Sequence, residues 1–135
     1  EGRFVYIIDA DGVSCQSLSR VLREAGYDVR AFPSGKAFLE SAPALVSGCV
    51  VLDIHNPDAG GLTIPRELKA RRIGLPVIVL GDAEGDVTFG VHVMKAGAVD
   101  FLPLLNKRRK ENYLFPQVPM VISAIVAVRY PLKSQ

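Results

Sequence analysis

The chain has 135 residues, of which 49% are hydrophobic, so it is long enough for one domain with a buried core and too short for two comfortable ones. Its formal net charge of +2 is too small to draw the whole chain to nucleic acid or to a membrane surface. No run of about 20 apolar residues is available to span a bilayer and no charged-then-apolar leader opens the chain, so we expect a soluble, cytoplasmic protein with no membrane partner.

Short β-branched runs alternate with helical patterns, which is typical of a parallel sheet flanked by helices. We predict five strands, and three of them are nearly continuous hydrophobic runs, as a strand covered on both faces requires. The predicted strands are residues 4–9, 28–32, 49–53, 77–80 and 99–102. The predicted fold class is therefore α/β.

The first predicted helix is well defined, because an apolar stripe and capping residues at both ends indicate the same segment. Asp11 or Ser14 is available as its N-cap, and Gly26 is suited to end it. Ser34 is the predicted N-cap of a short second helix.

Two further helices are predicted between the later strands. The third covers about residues 62–71 and carries Pro65 in its first turn, where a missing N–H is tolerated. The fourth covers about residues 87–96 and ends at Gly97, with Gly90 inside it at a cost on the order of 1 kcal/mol relative to alanine.

The regular pattern breaks after the fifth strand, where residues 103–119 are basic and turn-rich. A largely apolar pattern then predicts a fifth helix, with Pro119 able to occupy its N1 position. We expect residues 1–102 to form the (β/α) core and residues 103–135 to form an atypical basic loop and the last helix of the same domain. The four cations at 107–110 are interpreted as a solvated loop in preference to a nucleic-acid contact, because no aromatic stacking platform or recognition helix accompanies them.

Three acidic residues lie at or just beyond the ends of two predicted strands. Asp9 closes the first strand, Asp11 lies just beyond it, and Asp53 closes the third. Adjacent central strands would bring Asp9 and Asp53 to one crevice at the carboxyl edge of the sheet. Clustered carboxylates indicate a divalent cation, usually Mg²⁺, and a metal-assisted phosphoryl site. The residues alone leave an equally weighted alternative, in which each aspartate caps the helix that follows its strand.

Five segments, in order, carry a resemblance to a known family. They are residues 5–11 (VYIIDAD), 25–32 (AGYDVRAF), 49–57 (CVVLDIHNP), 75–80 (LPVIVL) and 94–102 (MKAGAVDFL). Together they resemble the receiver domains of two-component response regulators, and most closely those that precede a LuxR-type helix-turn-helix output domain. The resemblance implies a flavodoxin-like, chemotaxis-regulator-like fold with five parallel strands in the order 2-1-3-4-5.

The resemblance also implies roles for particular residues. Asp53 would accept a phosphoryl group from a sensor histidine kinase, Asp9 would belong to the Mg²⁺ pocket, and His55 would bind the metal through its backbone carbonyl. Phe101 occupies the family's aromatic switch position, although a role as core filler is at least as plausible. A DNA-binding output domain would lie outside this chain.

Three positions depart from the family pattern. Ala10 replaces the second acid, which normally binds Mg²⁺ directly; Gly81 replaces the switch serine or threonine; and Leu104 replaces the lysine that follows the fifth strand. Asp11 lies one residue from the lost acid and Lys107 lies near the lost lysine. These departures weaken the prediction of Mg²⁺ binding and of ordinary phosphorylation at Asp53.

Two other classes of function stay open. A phosphorylation-independent pseudo-receiver would act as a protein interaction or dimerisation module, with residues 103–135 forming a new surface. A flavodoxin-like enzyme or nucleotide binder ranks last, because we find no nucleophile paired with a base and no phosphate-cradling loop. We therefore predict that the chain is not an enzyme.

Several chemically notable side chains belong to no motif. Cys15 and Cys49 are interpreted as buried free thiols, with a disulfide as the alternative. His55 and His92 lie in no catalytic triad pattern, and neither side chain is predicted to be catalytic. Met94 is predicted to lie in the core.

Overall fold

A computed structural model describes residues 3–9, 11–53, 63–82, 87–104 and 117–131 of the chain. Its centre is a sheet of five strands in the order β2-β1-β3-β4-β5, in which every neighbouring pair is parallel. The strands are β1 (Phe4–Ile8), β2 (Asp28–Phe32), β3 (Gly48–Asp53), β4 (Val77–Asp82) and β5 (Asp100–Leu104). The order confirms the predicted flavodoxin-like α/β fold, and β4 and β5 each run two residues beyond their predicted ends at Leu80 and Leu102.

Helices cover both faces of this sheet. They are α1 (Gly12–Glu24), α2 (Gly35–Ser41), α3 (Thr63–Ala70), α4 (Val87–Lys95) and α5 (Gln117–Arg129), with a short 3₁₀ turn at Ala42–Ala44. Alternate strand residues point to opposite faces, so two apolar clusters form. The first includes core side chains of α2, α3 and α4, and the second those of α1 and α5.

The helix ends follow the predicted capping residues. Asp11 is the N-cap of α1 and Ser34 is the N-cap of α2, each accepting backbone hydrogen bonds through its side chain. Gly26 and Gly97 follow α1 and α4 with φ angles of +97° and +115°, which a residue with a Cβ rarely adopts.

Two predictions were wrong, one about the position of Pro119 in α5 and one about the burial of Met94 in α4. Pro119 is the third residue of α5, because this helix begins at Gln117. Proline is still tolerated there, since the first four N–H groups of a helix have no intrahelical partner. Met94 is 43% exposed because its neighbour Val93 takes the core position of α4.

Both cysteines are free thiols, as expected, but only Cys49 is buried as predicted. Cys49 is fully buried in β3, where burial raises the pKa of its thiol to about 12, and Cys15 is half-buried in α1. Within the described ranges, no helix is both long and apolar enough to cross a membrane.

Candidate functional site

The predicted acidic pair lies at the carboxyl edge of the sheet. Asp53 is the last residue of β3 and is 1% exposed, and Asp9 follows β1 directly and is 5% exposed. Strands β1 and β3 are neighbours whose register pairs Ile8 with Leu52, so the next residue along each strand is one of the two aspartates. The sheet topology therefore brings both carboxylates to one place, as the sequence predicts.

Ser14 is a third buried polar residue at this place. It lies in the first turn of α1, is 2% exposed, and its Oγ donates a hydrogen bond to Asp53 Oδ2 at 3.1 Å. The sequence pattern indicates Ser14 only as an alternative N-cap of α1. The cap is instead Asp11, which leaves the serine hydroxyl to reach the end of β3.

Asp9 has an electrostatically unfavourable position. Its Oδ1 accepts a hydrogen bond from the backbone N–H of Asp11 at 2.9 Å, whereas its Oδ2 is buried with no hydrogen-bond partner among the described residues. Burial, and then the negative charge of Asp53, raise the pKa of Asp9 to about 7, and the Asp11 N–H opposes this rise. A proton or a cation at this carboxylate would relieve the cost of burying its charge.

The carboxylate of Asp11 caps the N-terminus of α1. Its Oδ1 accepts from the backbone N–H groups of Val13 at 3.0 Å and Ser14 at 3.4 Å. The alternative prediction of a helix cap is therefore confirmed for Asp11. Its participation in metal binding stays a prediction.

The oxygen donors at this edge are of the kind that Mg²⁺ prefers. They are the carboxylates of Asp9 and Asp53 and the hydroxyl of Ser14, and the buried Oδ2 of Asp9 is an acceptor that a cation would satisfy. In the part of the chain that the structure describes, no three His, Cys, Asp or Glu side chains form a metal-binding group. The donor set thus fits Mg²⁺ in chemical type, and the loss of an acidic ligand at Ala10 stays a prediction.

Gly81 and Phe101 lie next to the acidic edge. Gly81 belongs to β4 and pairs with Pro103 of β5, so no hydroxyl is present at that register. The ring of Phe101 is partly buried and packs against the first apolar cluster. A Cβ at Gly90 of α4 would lie 3.4 Å from this ring, so the glycine allows close packing between helix and ring.

At four other predicted site positions the structure describes no side chain. Ala10, His55 and Lys107 lie outside the described residues. Leu104 is the last residue of β5 and pairs with Asp82 through the backbone. The roles predicted for these positions stay predictions.

The family model for the response regulator receiver domain matches residues 5–114. This chain belongs to the response-regulator receiver family. Receiver domains are in general signalling modules of two-component systems and not enzymes, and they typically bind Mg²⁺ at their acidic site.

The chain is also similar to named regulators. It is 39% identical over 98 residues to the transcriptional regulatory protein FixJ of Bradyrhizobium diazoefficiens, covering 73% of this chain and 47% of the relative. It is 36% identical over 97 residues to the response regulator protein TmoT of Ectopseudomonas mendocina, covering 72% of this chain and 44% of the relative. The chain therefore spans about half the length of these relatives.

Solved structures show the same similarity. The crystal structure of FixJ-N has a TM-score of 0.75 at 32% identity, and the match covers 100% of this chain and 99% of that one. Full-length FixJ from B. japonicum has a TM-score of 0.76 at 33% identity, and the match covers 94% of this receiver and 59% of the solved chain. The described part of the chain thus shares the receiver fold of these two structures.

Proposed function

We propose that Asp53 of this receiver accepts a phosphoryl group from a sensor histidine kinase. The observation that carries the proposal is the buried Asp53 at the end of the central strand β3, beside an Asp9 whose Oδ2 lacks a hydrogen-bond partner among the described residues. Asp9 and Asp53, with the backbone carbonyl of His55, would hold Mg²⁺ there. The bound cation would offset the negative charge that develops on the phosphoryl oxygens.

The chain's own residues set the geometry of the transfer. A carboxylate oxygen of Asp53 forms a bond to phosphorus while the bond from phosphorus to the donor's leaving group breaks. Ser14 donates to Oδ2 of Asp53, which limits the rotation of the carboxylate. That hydrogen bond to a charged acceptor also stabilises the unreacted carboxylate, so it opposes attack.

We infer that phosphorylation is slow and its structural readout weak. Ala10 removes a carboxylate that would hold the cation, and Leu104 removes a positive charge that would face the phosphoryl oxygens. Gly81 offers no hydroxyl to bind the phosphorylated aspartate. The first two replacements act on the transfer step and the third acts on the phosphorylated state, so all three bear on one mechanism at one site.

A second function is a pseudo-receiver that binds its partners, or a second copy of itself, without phosphate. The hydrogen bond from Ser14 to Asp53 supports it, because the resting carboxylate already has a protein donor at Oδ2. An aspartate held in this way keeps its place in the fold without a cation. The similarity to a transcriptional regulatory protein suggests, for either function, a DNA-binding output domain outside this chain.

Intact-mass measurement after incubation with acetyl phosphate and Mg²⁺ tests these functions. The wild type should gain one phosphoryl group, Asp53→Asn should gain none, and removal of Mg²⁺ with EDTA should prevent the gain. Asp28→Asn is the matched control, because it makes the same chemical change at an exposed residue that starts β2. Folding of each variant is checked by circular dichroism.

A Ser14→Ala arm separates the two functions. If Asp53 is a slow acceptor, loss of the opposing hydrogen bond should increase its rate of phosphorylation. If neither the wild type nor Ser14→Ala gains mass while both are folded, the phosphoacceptor role is wrong and the pseudo-receiver function is favoured.

A further inference from the structure

A cavity of about 440 Å³ opens at the amino edge of the sheet, away from Asp9 and Asp53. We call it the amino-edge cavity; it is lined by Pro65, Leu68, Lys69, Arg72, Ile73, Gly74, Leu75, Pro76, Val77, Gly97, Val99 and Arg129. Most of these side chains are aliphatic, and Val99 is 42% exposed. The cavity therefore combines accessible apolar surface with positive charge.

Three cationic side chains line the amino-edge cavity, and its described lining includes no acidic residue. Lys69 belongs to the last turn of α3, Arg72 to the turn that follows, and Arg129 to the end of α5. The Arg129 guanidinium donates to the carbonyl of Gly74 at 2.8 Å, which holds it at the cavity. Like charges that converge on one cavity repel one another, so an anion bound there would be stabilised by all three.

Among the described residues, two acidic side chains close in sequence to the lining are engaged elsewhere. Glu67 of α3 accepts from Arg71 at 3.1 Å, and Asp100 of β5 accepts from the backbone N–H of Phe101 at 2.8 Å. Neither acid lines the amino-edge cavity. Its positive charge is therefore available to a ligand.

The backbone at Arg72 gives an independent indication. Helices α1 and α4 are followed by Gly26 and Gly97, both at positive φ, whereas α3 is followed by Arg72 at φ 58°. The motif at the end of α3 is the same, because Ile73 N–H donates to Leu68 O at 2.9 Å. An arginine is sterically unfavourable where glycine is the usual choice, so its side chain supplies something that glycine lacks.

The helix dipole accounts for only part of this arrangement. A cation near the C-terminus of α3 is favourable, and Lys69 already provides one. The dipole of α3 does not explain an arginine at a glycine position, and the bond to Gly74 O fixes Arg129 without neutralising its charge. A shared anionic ligand would account for the arginine at this position and would pair with both guanidinium groups.

We propose that the amino-edge cavity docks an acidic segment of a partner protein. Its carboxylates pair with Lys69, Arg72 and Arg129, and one aliphatic side chain packs against Val99. A protein segment is favoured over a free small anion because the three cations are exposed, and exposed ion pairs alone contribute little without added apolar contact. Nucleic acid is disfavoured because the lining offers no aromatic side chain on which a base could stack.

Fluorescence polarisation with a synthetic peptide tests the proposal. The probe is a capped, fluorophore-labelled Glu-Leu-Glu-Glu peptide, and the reference is the matching Gln-Leu-Gln-Gln peptide. The wild-type chain should bind the acidic peptide more tightly, and added salt should reduce the difference. Equal affinity for the two peptides would overturn the proposal.

Arg72→Gly is the decisive variant, because glycine suits the positive φ and the melting temperature should stay equal or rise. Its affinity for the acidic peptide should fall by about 1.5- to fivefold, the effect expected of one exposed charge pair. Arg66→Ala is the matched control, since it removes one exposed cation of α3 that does not line the cavity. Equal losses for both variants would mean general charge attraction, and displacement by equimolar inorganic phosphate would mean a simple anion site; either result contradicts the proposal.

Discussion

At the scale of single residues, Asp9 carries the main electrostatic cost of the site. The pKa of its carboxyl is about 7 in the folded chain, against an ordinary value of 3.8, chiefly because of burial and the nearby Asp53. Between these two pH values the folded chain binds more protons than the unfolded chain. In the absence of metal, the contribution of Asp9 to the free energy of unfolding should therefore fall as pH rises through this window, by at most about 1.4 kcal/mol per pH unit.

Asp9→Asn should remove this fall, because the amide does not ionise. Urea unfolding of both proteins at several pH values between about 4 and about 8 measures the difference, which should grow with pH in favour of the variant. The exposed Asp28→Asn is the control and should keep the wild-type slope. If Asp9→Asn also keeps the wild-type slope, Asp9 is not the group responsible.

One contact of the acidic site could be predicted from the sequence and another could not. Asp9 and Asp53 could be predicted to meet because neighbouring parallel strands must end at the same edge of the sheet. The contact of Ser14 with Asp53 joins residues 39 positions apart and depends on how α1 lies over the end of β3. A serine near the start of a helix is also a typical N-cap, so the residues around Ser14 do not distinguish a cap from a contact with Asp53.

At the scale of elements, the buried face of a helix could be predicted only where the helix has one apolar side. The apolar stripe of α1 and its capping residues indicated its position and its buried face. The structure confirms the cap and the burial of Leu18 and Leu22, whereas Ala25 at the end of the predicted stripe is exposed. Helix α4 is apolar on several sides, with Val91 and Met94 exposed and Val93 buried, so its sequence could not identify the inner face. Helix α5 has the same ambiguity, since Met120 and Val128 are 75% and 84% exposed.

The end of α4 depends on the backbone conformation of Gly97. Its φ of +115° ends α4 in a conformation that alanine rarely adopts, so Gly97→Ala should lower the free energy of unfolding by about 1–2 kcal/mol. Gly12→Ala is the control, because Gly12 starts α1 with negative φ and open space around its Cβ position. Urea denaturation should find the control neutral or slightly stabilised, and equal destabilisation of both variants would contradict the backbone explanation.

At the scale of the whole molecule, the end of the last helix is attached to the amino edge of the sheet. Tyr130, just after α5, donates through its hydroxyl to Gly48 O at 3.0 Å and accepts from Gly48 N–H at 3.3 Å. Gly48 begins β3, the strand whose other end carries Asp53. Alanine would not fit there, since its Cβ would lie 2.5 Å from the carbonyl oxygen of Phe4. Residues 103–135 are therefore proposed to belong to the same domain as residues 1–102.

Tyr130→Phe tests this membership, because it removes the hydroxyl and keeps the ring. Loss of the contacts with Gly48 should cost about 0.5–1.5 kcal/mol and should increase amide hydrogen exchange along α5. Tyr27→Phe is the comparison, since its hydroxyl lies 2.6 Å from Ser123 Oγ of α5 at an exposed position and should matter less. If α5 is an integral part of the receiver, its faster exchange in Tyr130→Phe should be accompanied by faster exchange in β3. Faster exchange in α5 alone would mean that the helix opens independently of the sheet, and the residues after β5 would then form a separate unit.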